Sequence, residues 1–196
     1  MTAPTILCVA GSPRRHGNSE LLLDSCVRGI EEAGGIADRL EVVEYDITPC
    51  QGCNACSLTE ECVISDRMRE IYPRIDAADA IVISSPVYFA TVPAVLKALY
   101  DRCQPYWARQ HVLNQPAPAR RPGALLLVRG AGDPYGFEAA VLTTKSVFAV
   151  LGIDLVDTIE VEGVDSPSEL GRHPDSIARA EELGSTLVGR TLEYRR

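Results

Sequence analysis

The chain of 196 residues has the length of one compact domain with a sizeable core. Its 46% hydrophobic and 23% charged residues are typical of a globular protein and exclude a disordered chain. The net charge of −8 argues against nucleic acid as the main partner, because phosphate neutralisation requires a basic face. No apolar run approaches the ~18–20 residues that span a membrane. The N-terminus lacks the basic segment of a signal peptide, so we expect a cytoplasmic protein.

Short apolar runs alternate with amphipathic stretches along the whole chain. The predicted elements, in chain order, are a strand at 5–10, a helix over 22–30, a strand at 40–45, a helix over 68–75, a strand at 80–84, a helix over 93–103, a strand at 124–128, a helix over 137–151, a strand at 153–161 and a helix over 177–187. Asp66 is the predicted N-cap of the second helix, and Pro93 suits the first position of the third.

Five successive strand–helix units predict a parallel sheet with helices on both faces, because their crossovers are right-handed. This is a doubly wound α/β fold, and residues 1–196 show neither an internal repeat nor a second domain. Ligands of such folds lie outside the carboxyl ends of the strands, so the loops there are candidate sites. The proline-rich segment 108–122 is the longest predicted irregular stretch, and it is either functional or a solvated connector.

The loop after the first strand, 11–20, leads directly into a helix. Backbone N–H groups at a helix N-terminus, short polar side chains and an arginine together bind a phosphate dianion. The loop has no G-x-x-x-x-G-K-[ST] motif and no G-x-G-x-x-G motif, which argues against a P-loop or a dinucleotide site. It therefore suits a terminal monophosphate. The alternative is that Asn18 or Ser19 merely caps the helix.

The loops after the third and fourth strands are expected at the same end of the sheet as the loop after the first strand. Tyr88 and Phe89 follow the third strand, and two adjacent aromatic residues there suit a planar ring, although they could equally pack in the core. The glycine-rich segment 129–136 follows the fourth strand and either closes over the same ligand or forms a plain turn. Three suitable loops at one end of the sheet favour a single ligand site.

Four of the seven cysteines lie within 13 residues, in the spacing C-x₂-C-x₂-C-x₅-C. Three thiolates at such intervals on a tight loop fit the corners of a cubane iron–sulfur cluster, and the fourth returns from downstream. Tetrahedral zinc and free, redox-active thiols are the alternatives. The other three cysteines lie in apolar segments and are predicted to be buried as small hydrophobic residues: Cys8, Cys26 and Cys103.

Two motifs together resemble a known family. Gly-Ser-Pro-Arg…Gly-Asn-Ser at 11–19 and Ser-Pro-Val-Tyr-Phe at 85–89 are similar to the NADPH-dependent FMN reductase group of the flavodoxin-like fold, and the likeness covers nearly the whole chain. The resemblance implies a five-stranded parallel sheet of order 2-1-3-4-5 that binds FMN. It assigns the FMN phosphate to Ser12, Arg14, Asn18 and Ser19, the isoalloxazine ring to Pro86, Val87, Tyr88 and Phe89, and the far side of the ring to Gly130.

Within that group, the cysteine-rich loop at 49–63 resembles the iron–sulfur flavoprotein family. The resemblance implies that a 4Fe-4S cluster is bound near the FMN by Cys50, Cys53, Cys56 and Cys62. It further implies an oxidoreductase that passes electrons from a ferredoxin-like donor, or from NAD(P)H, to a small oxidant. The cofactors carry this chemistry, so no catalytic side chain is assigned. A partner subunit often covers the flavin in this family, so we expect a homodimer or homotetramer.

Two other functions remain open at this point. One is an NAD(P)H-dependent FMN or quinone reductase whose cysteines hold no cluster, and the other is a non-catalytic flavodoxin-like carrier with zinc in the cysteine loop. The three histidines lie in polar stretches without matched partners, which argues against a Ser/His/Asp triad. An acidic electron carrier would require a local basic patch, for which Arg120-Arg121 is a candidate.

Overall fold

A parallel sheet forms the centre of the molecule. The computed structural model describes residues 2–167 and 169–195, and its strands are β1 (Thr5–Ala10), β2 (Ile36–Glu41), β3 (Ala80–Pro86), β4 (Arg121–Arg129) and β5 (Ile153–Glu162). Their order is β2-β1-β3-β4-β5, and all four neighbouring pairs are parallel. The connection after β1 leads to β2 on one side and the connection after β3 leads to β4 on the other, which opens a crevice between the carboxyl ends of β1 and β3. The predicted fold class and strand order are confirmed.

Helices cover both faces of this sheet. They are α1 (Asn18–Glu32), α2 (Cys56–Thr59), α3 (Met68–Ala77), α4 (Ala94–Asp101), α5 (Gln104–His111), α6 (Glu138–Val150) and α7 (Pro174–Tyr194), with short 3₁₀ turns at Val42–Glu44 and Glu169–Arg172. Helices α1 and α7 pack on one face, whereas α3, α4 and α6 pack on the other. Within the described ranges, no helix is long and apolar enough to cross a membrane.

Side-chain alternation along the strands builds a core on each face. Leu7 and Val9 of β1 enter the cluster beneath α3, α4 and α6, while Ile6 and Cys8 enter the cluster beneath α1 and α7. The three scattered cysteines are buried, as predicted, and burial raises the pKa of each thiol: Cys8, Cys26 and Cys103. These thiols are therefore protonated core residues.

Helices α1 and α7 approach each other unusually closely. A Cβ atom built on Gly29 of α1 would overlap the carbonyl oxygen of Glu181, and one built on Gly184 of α7 would overlap that of Cys26. Both glycines are buried where the two helix backbones meet. Only a residue without a side chain allows this approach.

The second strand begins and ends earlier than predicted. It spans Ile36–Glu41 rather than 40–45, and Val42–Glu44 forms a 3₁₀ turn. Strand β2 lies at the edge of the sheet and pairs only with β1, so it tolerates the polar Asp38 and Arg39. The more apolar segment that follows β2 therefore caused the strand to be predicted too late in the chain.

The predicted helix over 93–103 is also wrong at its C-terminal end. Helix α4 ends at Asp101, and α5 begins at Gln104. Part of the predicted irregular segment 108–122 is therefore helical, since α5 extends to His111 and β4 begins at Arg121. The N-cap of α3 is Arg67 rather than the predicted Asp66, although the Asp66 carboxylate, one residue earlier, accepts a hydrogen bond from the Met68 N–H at 3.1 Å.

Candidate functional site

A cleft of about 520 Å³ opens at the carboxyl ends of β1, β3 and β4. Seven of the nine predicted FMN-binding residues line it: Ser12, Arg14, Asn18, Pro86, Val87, Tyr88 and Gly130. The loop after β5 contributes Val164 and Asp165, which the sequence analysis missed. The rule that ligands lie beyond the strand ends, applied to β5 as well, would have indicated this loop.

The phosphate end of the cleft is formed by the loop between β1 and α1. The Ser12 Oγ accepts a hydrogen bond from the Arg14 N–H at 3.0 Å, which fixes the turn. Arg14 is exposed, and within the described ranges its guanidinium forms no ion pair. The neighbouring Arg15 instead pairs with Glu20 and Glu44. Arg14 and the free N–H groups in the first turn of α1 are therefore available to an anion.

Asn18 lines the cleft, but its side chain is hydrogen-bonded to the segment after β5. The Asn18 amide donates to the carbonyls of Val164 and Ser166, at 3.3 and 2.9 Å, and its oxygen accepts from the Leu170 N–H at 3.1 Å. This side chain is fully engaged in holding the loop after β5. Ser19 is buried and does not line the cleft. With the Asn18 amide engaged, the backbone N–H groups of the first turn of α1 remain for an anion.

The ring end of the cleft follows β3. The Val87 N–H extends the sheet by donating to the Val128 carbonyl at 2.8 Å. A tight turn then places Phe89 and Ala90 in the left-handed region, with φ of 49° and 68°, which is a strained conformation for residues with a side chain. Tyr88 lines the cleft, whereas Phe89 is fully exposed and lies outside it.

One carboxylate connects the turn after β3 with the loop after β4. Asp133 accepts hydrogen bonds from the Ala90 N–H at 3.2 Å and from the Tyr135 N–H at 2.9 Å. Gly130 lies so close to Asp165 that a Cβ atom would overlap the carboxylate. The two loops and the segment after β5 thus form one connected wall.

A second cavity, of about 230 Å³, is lined by all four grouped cysteines: Cys50, Cys53, Cys56 and Cys62. Gly52 and Asn54 adopt left-handed backbone conformations on either side of Cys53, with φ of 64° and 59°, so the chain turns sharply there. Cys53 is exposed, whereas Cys56 is buried at the start of α2. This loop geometry brings together four thiols that are close in sequence.

The four thiols interact electrostatically. Burial raises the pKa of Cys56, a backbone hydrogen bond lowers it, and the nearby side chains of Cys62, Cys50 and Cys53 raise it. Among residues 2–167 and 169–195, no three cysteine, histidine or carboxylate side chains are grouped as a single metal ion requires. What the structure shows is therefore a shared cavity lined by four thiols.

The buried guanidinium of Arg102 lines the cysteine cavity and closes the base of its loop. It contacts both Asp66 carboxylate oxygens at 2.6 and 3.0 Å, and it donates to the Thr48 carbonyl at 2.8 Å. Burial alone would raise the pKa of Asp66, but hydrogen bonds from Arg102 and two backbone N–H groups hold it below its ordinary value. The Nε of Arg102 is buried and has no partner among the described residues. Arg102 therefore places a positive charge at the wall of the cysteine cavity.

The candidate basic patch at Arg120-Arg121 is not an exposed patch of free cations. Arg120 pairs with Asp154. The guanidinium of Arg121 donates to the carbonyls of Ile75 and Ala78. Both cations are thus committed to contacts within the chain.

Comparison with known proteins identifies the family of this chain. The family model described as NADPH-dependent FMN reductase matches residues 4–162. An iron–sulfur flavoprotein of Archaeoglobus fulgidus is 30% identical over 180 residues, which cover 92% of this chain and 77% of that relative. One from Methanosarcina thermophila is 39% identical over 94 residues, and this match spans only about half of either chain, 48% and 49%.

Solved structures share the fold at low sequence identity. A flavone reductase superimposes with a TM-score of 0.72 at 14% identity, over 98% of this chain and 64% of the other. The NAD(P)H:quinone oxidoreductase from Methanothermobacter marburgensis gives a TM-score of 0.67 at 17% identity, over 95% and 98% of the two chains. The chain therefore belongs to the NADPH-dependent FMN reductase family and is a flavin-dependent oxidoreductase of the iron–sulfur flavoprotein type.

Proposed function

We propose that this oxidoreductase carries a 4Fe-4S cluster bound by its four grouped cysteines, and that it passes electrons between a ferredoxin-like donor and a small oxidant through FMN. The observation that carries the proposal is the single cavity that all four thiols line. FMN accepts two electrons and releases them singly, so cluster and flavin would couple one-electron and two-electron partners. The protein's own contribution is binding, orientation and local charge.

The cysteine cavity has the chemistry that a cluster requires. Four thiolates and a cubane carry net negative charge, which a buried site must offset. Arg102 places a positive charge in the cavity wall, which would offset part of this negative charge. The exposed Cys53 and the partly exposed Cys50 and Cys62 leave the site open to assembly and to electron exchange.

The flavin cleft has two distinct ends. Arg14, the Ser12 turn and the first turn of α1 would hold the FMN phosphate, as would the backbone at Asn18 and Ser19. Pro86, Val87, Tyr88 and Gly130 would line the ring. Phe89 lies at the exposed rim, where we propose that a second subunit of a homodimer or homotetramer covers it. Light scattering on the purified protein tests that assembly.

Arg14→Gln is expected to weaken FMN binding about tenfold while leaving riboflavin binding unchanged. The reason is that a charge-assisted hydrogen bond contributes ~1.5–3 kcal/mol, with the lower end expected at an exposed arginine, and riboflavin has no phosphate to receive it. Quenching of flavin fluorescence on titration with each ligand measures both dissociation constants. Equal weakening of both ligands would contradict a phosphate role.

The decisive test of the cluster is anaerobic purification followed by an absorption spectrum with iron and acid-labile sulfide assays on the same sample. We expect flavin bands, a broad shoulder near ~400 nm, and about four irons per chain, as a Cys₄ cubane requires. Flavin without iron in protein never exposed to air would overturn the cluster. Stoichiometric zinc would instead support the metal-stiffened carrier.

Cys53→Ser is expected to reduce iron from about four per chain to a small fraction of that value, because the hard serine oxygen is a poor ligand for iron–sulfur clusters. Cys53 is exposed, so this loss would not reflect unfolding of the core. Cys8→Ala is the matched control, since Cys8 is buried in β1 and should leave the iron content unchanged. Equal iron in both variants would refute the assignment of ligands.

A second candidate is an NAD(P)H-dependent FMN or quinone reductase without a cluster. The family description and the quinone oxidoreductase among the structural neighbours favour it. Anaerobic mixing distinguishes the two, because NAD(P)H would bleach the flavin rapidly in this reductase. In the proposed electron-transfer protein, a reduced ferredoxin would be the faster reductant.

A further inference from the structure

Arg129, the last residue of β4, lines the flavin cleft in a fixed position. Its side chain is 10% exposed, and its Nη2 pairs with Glu162 at 2.8 Å. Its Nη1 donates to the carbonyls of Gly130 at 3.3 Å and Asp133 at 3.1 Å. The guanidinium also lies 5.1 Å from the centre of the Phe137 ring. These contacts hold the group from several sides.

The Nε–H of Arg129 takes part in none of these contacts. It is buried and has no hydrogen-bond partner among the described residues. Native proteins rarely leave such a donor unpaired, since its lost hydration is not replaced. Arg121 shares this feature but lies among carbonyls near the amino-terminal end of the sheet, so an unpartnered Nε alone does not mark a site. Arg129 differs because it forms part of a cleft wall with Val87 and Tyr88, so a ligand there would meet its charge rather than this inaccessible N–H.

The strand order places Arg129 at the ring end of the cleft. The phosphate loop follows β1, and β3 lies between β1 and β4, so Arg129 and Arg14 are on opposite sides of β3. The flavin ring carries carbonyl oxygens and ring nitrogens that accept hydrogen bonds, and it gains negative charge on reduction. A positive donor in a buried wall stabilises such charge far more than it would in water.

We propose that the positive charge of Arg129, at the ring end of the cleft, holds the reduced form of FMN more tightly than the oxidised form. This inference rests on the proposed FMN site and adds a residue that sets the flavin's reduction potential. The exposed Glu162 partly offsets the charge of Arg129, so the ion pair adjusts the strength of the effect. Arg14 acts on the phosphate alone, which is the same in both oxidation states.

The test is the midpoint potential of bound FMN in wild type and in Arg129→Gln, measured by anaerobic dye-equilibrated titration. We expect the variant to lose about tenfold in preference for reduced over oxidised FMN, which for a two-electron couple is a fall of about 30 mV. Arg129→Lys, which keeps the charge, should recover part of the shift. An unchanged potential in Arg129→Gln, with circular dichroism showing a native fold, would overturn the proposal.

Two further variants keep the test decisive if Arg129→Gln does not fold. Glu162→Gln removes the exposed counter-charge without altering the cleft and should shift the potential in the opposite direction, upward. Arg14→Gln should weaken FMN in both oxidation states without moving the potential. No shift in Glu162→Gln, or an equal shift in Arg14→Gln, counts against a specific role for Arg129. Failure of the wild type to bind any FMN would instead refute the proposed function itself.

Discussion

Arg102→Met is expected to reduce the free energy of unfolding by about 3–5 kcal/mol, the usual effect of removing one partner from a buried ion pair. The change leaves the Asp66 carboxylate without its cation, although that side chain is only 10% exposed. It also frees the Thr48 carbonyl that Arg102 holds. In a domain of this size the melting temperature should fall by about 10 °C. Urea unfolding followed by circular dichroism measures the effect.

Two controls distinguish the effect of breaking the buried Arg102–Asp66 pair from the effect of losing any arginine charge. Arg120→Met removes a pair with Asp154 that is much more exposed and should change stability by about 1 kcal/mol at most. Adding Asp66→Asn to Arg102→Met removes the unpaired charge, so the double variant should be more stable than Arg102→Met alone. Equal destabilisation by Arg120→Met and Arg102→Met would show that Arg102 has no special structural role.

Gly29→Ala is expected to reduce the free energy of unfolding by about 3 kcal/mol or more, at the upper end of the effect of overpacking. The added methyl group would meet the Glu181 carbonyl, which belongs to the α7 backbone and cannot rotate away as a side chain could. This overlap is removed only if the whole of α7 moves away from α1. Such a movement would weaken the contacts that both helices make with the sheet. Urea unfolding measures the loss.

Gly189→Ala is the matched control because it makes the same change in the same pair of helices. Gly189 lies on the exposed side of α7, where a Cβ atom would meet nothing within 4 Å. This variant should be more stable than wild type by about 0.4–1 kcal/mol, since alanine restricts the unfolded chain and favours a helix. If Gly29→Ala behaved like Gly189→Ala, the inferred close contact between α1 and α7 would be wrong.

The sequence predicted the central strands well because these are buried on both faces. The continuous apolar runs of β1, β3 and β4 reflect that burial directly. Strand β2 is different, because an edge strand needs apolar residues at only some positions, and its register with β1 is set by pairing. Helix α5 was missed for a related reason, since Arg109, Gln110 and His111 give it a polar sequence.

The parts of the candidate site that could be predicted are those whose residues lie close together in the sequence. The four cysteines share one cavity because they lie on one loop, which sequence spacing alone indicates. Asn18 could not be interpreted in this way, because its amide contacts a segment about 150 residues away, at 164–170. Arg129 is similar, since its role depends on a cleft that several distant loops form together. Such contacts exist only in the folded molecule.

The two ends of the cysteine loop are joined at its base by side chains from outside its turn. Arg102 and Asp66 together hold Thr48 at one end of the loop, and Arg102 also faces the Ile64 carbonyl at the other. Residues between these two points can change in number at little entropic expense, since doubling a flexible loop costs only about 0.6 kcal/mol. The same scaffold could therefore accept loops with other cysteine spacings without any change to the flavin cleft.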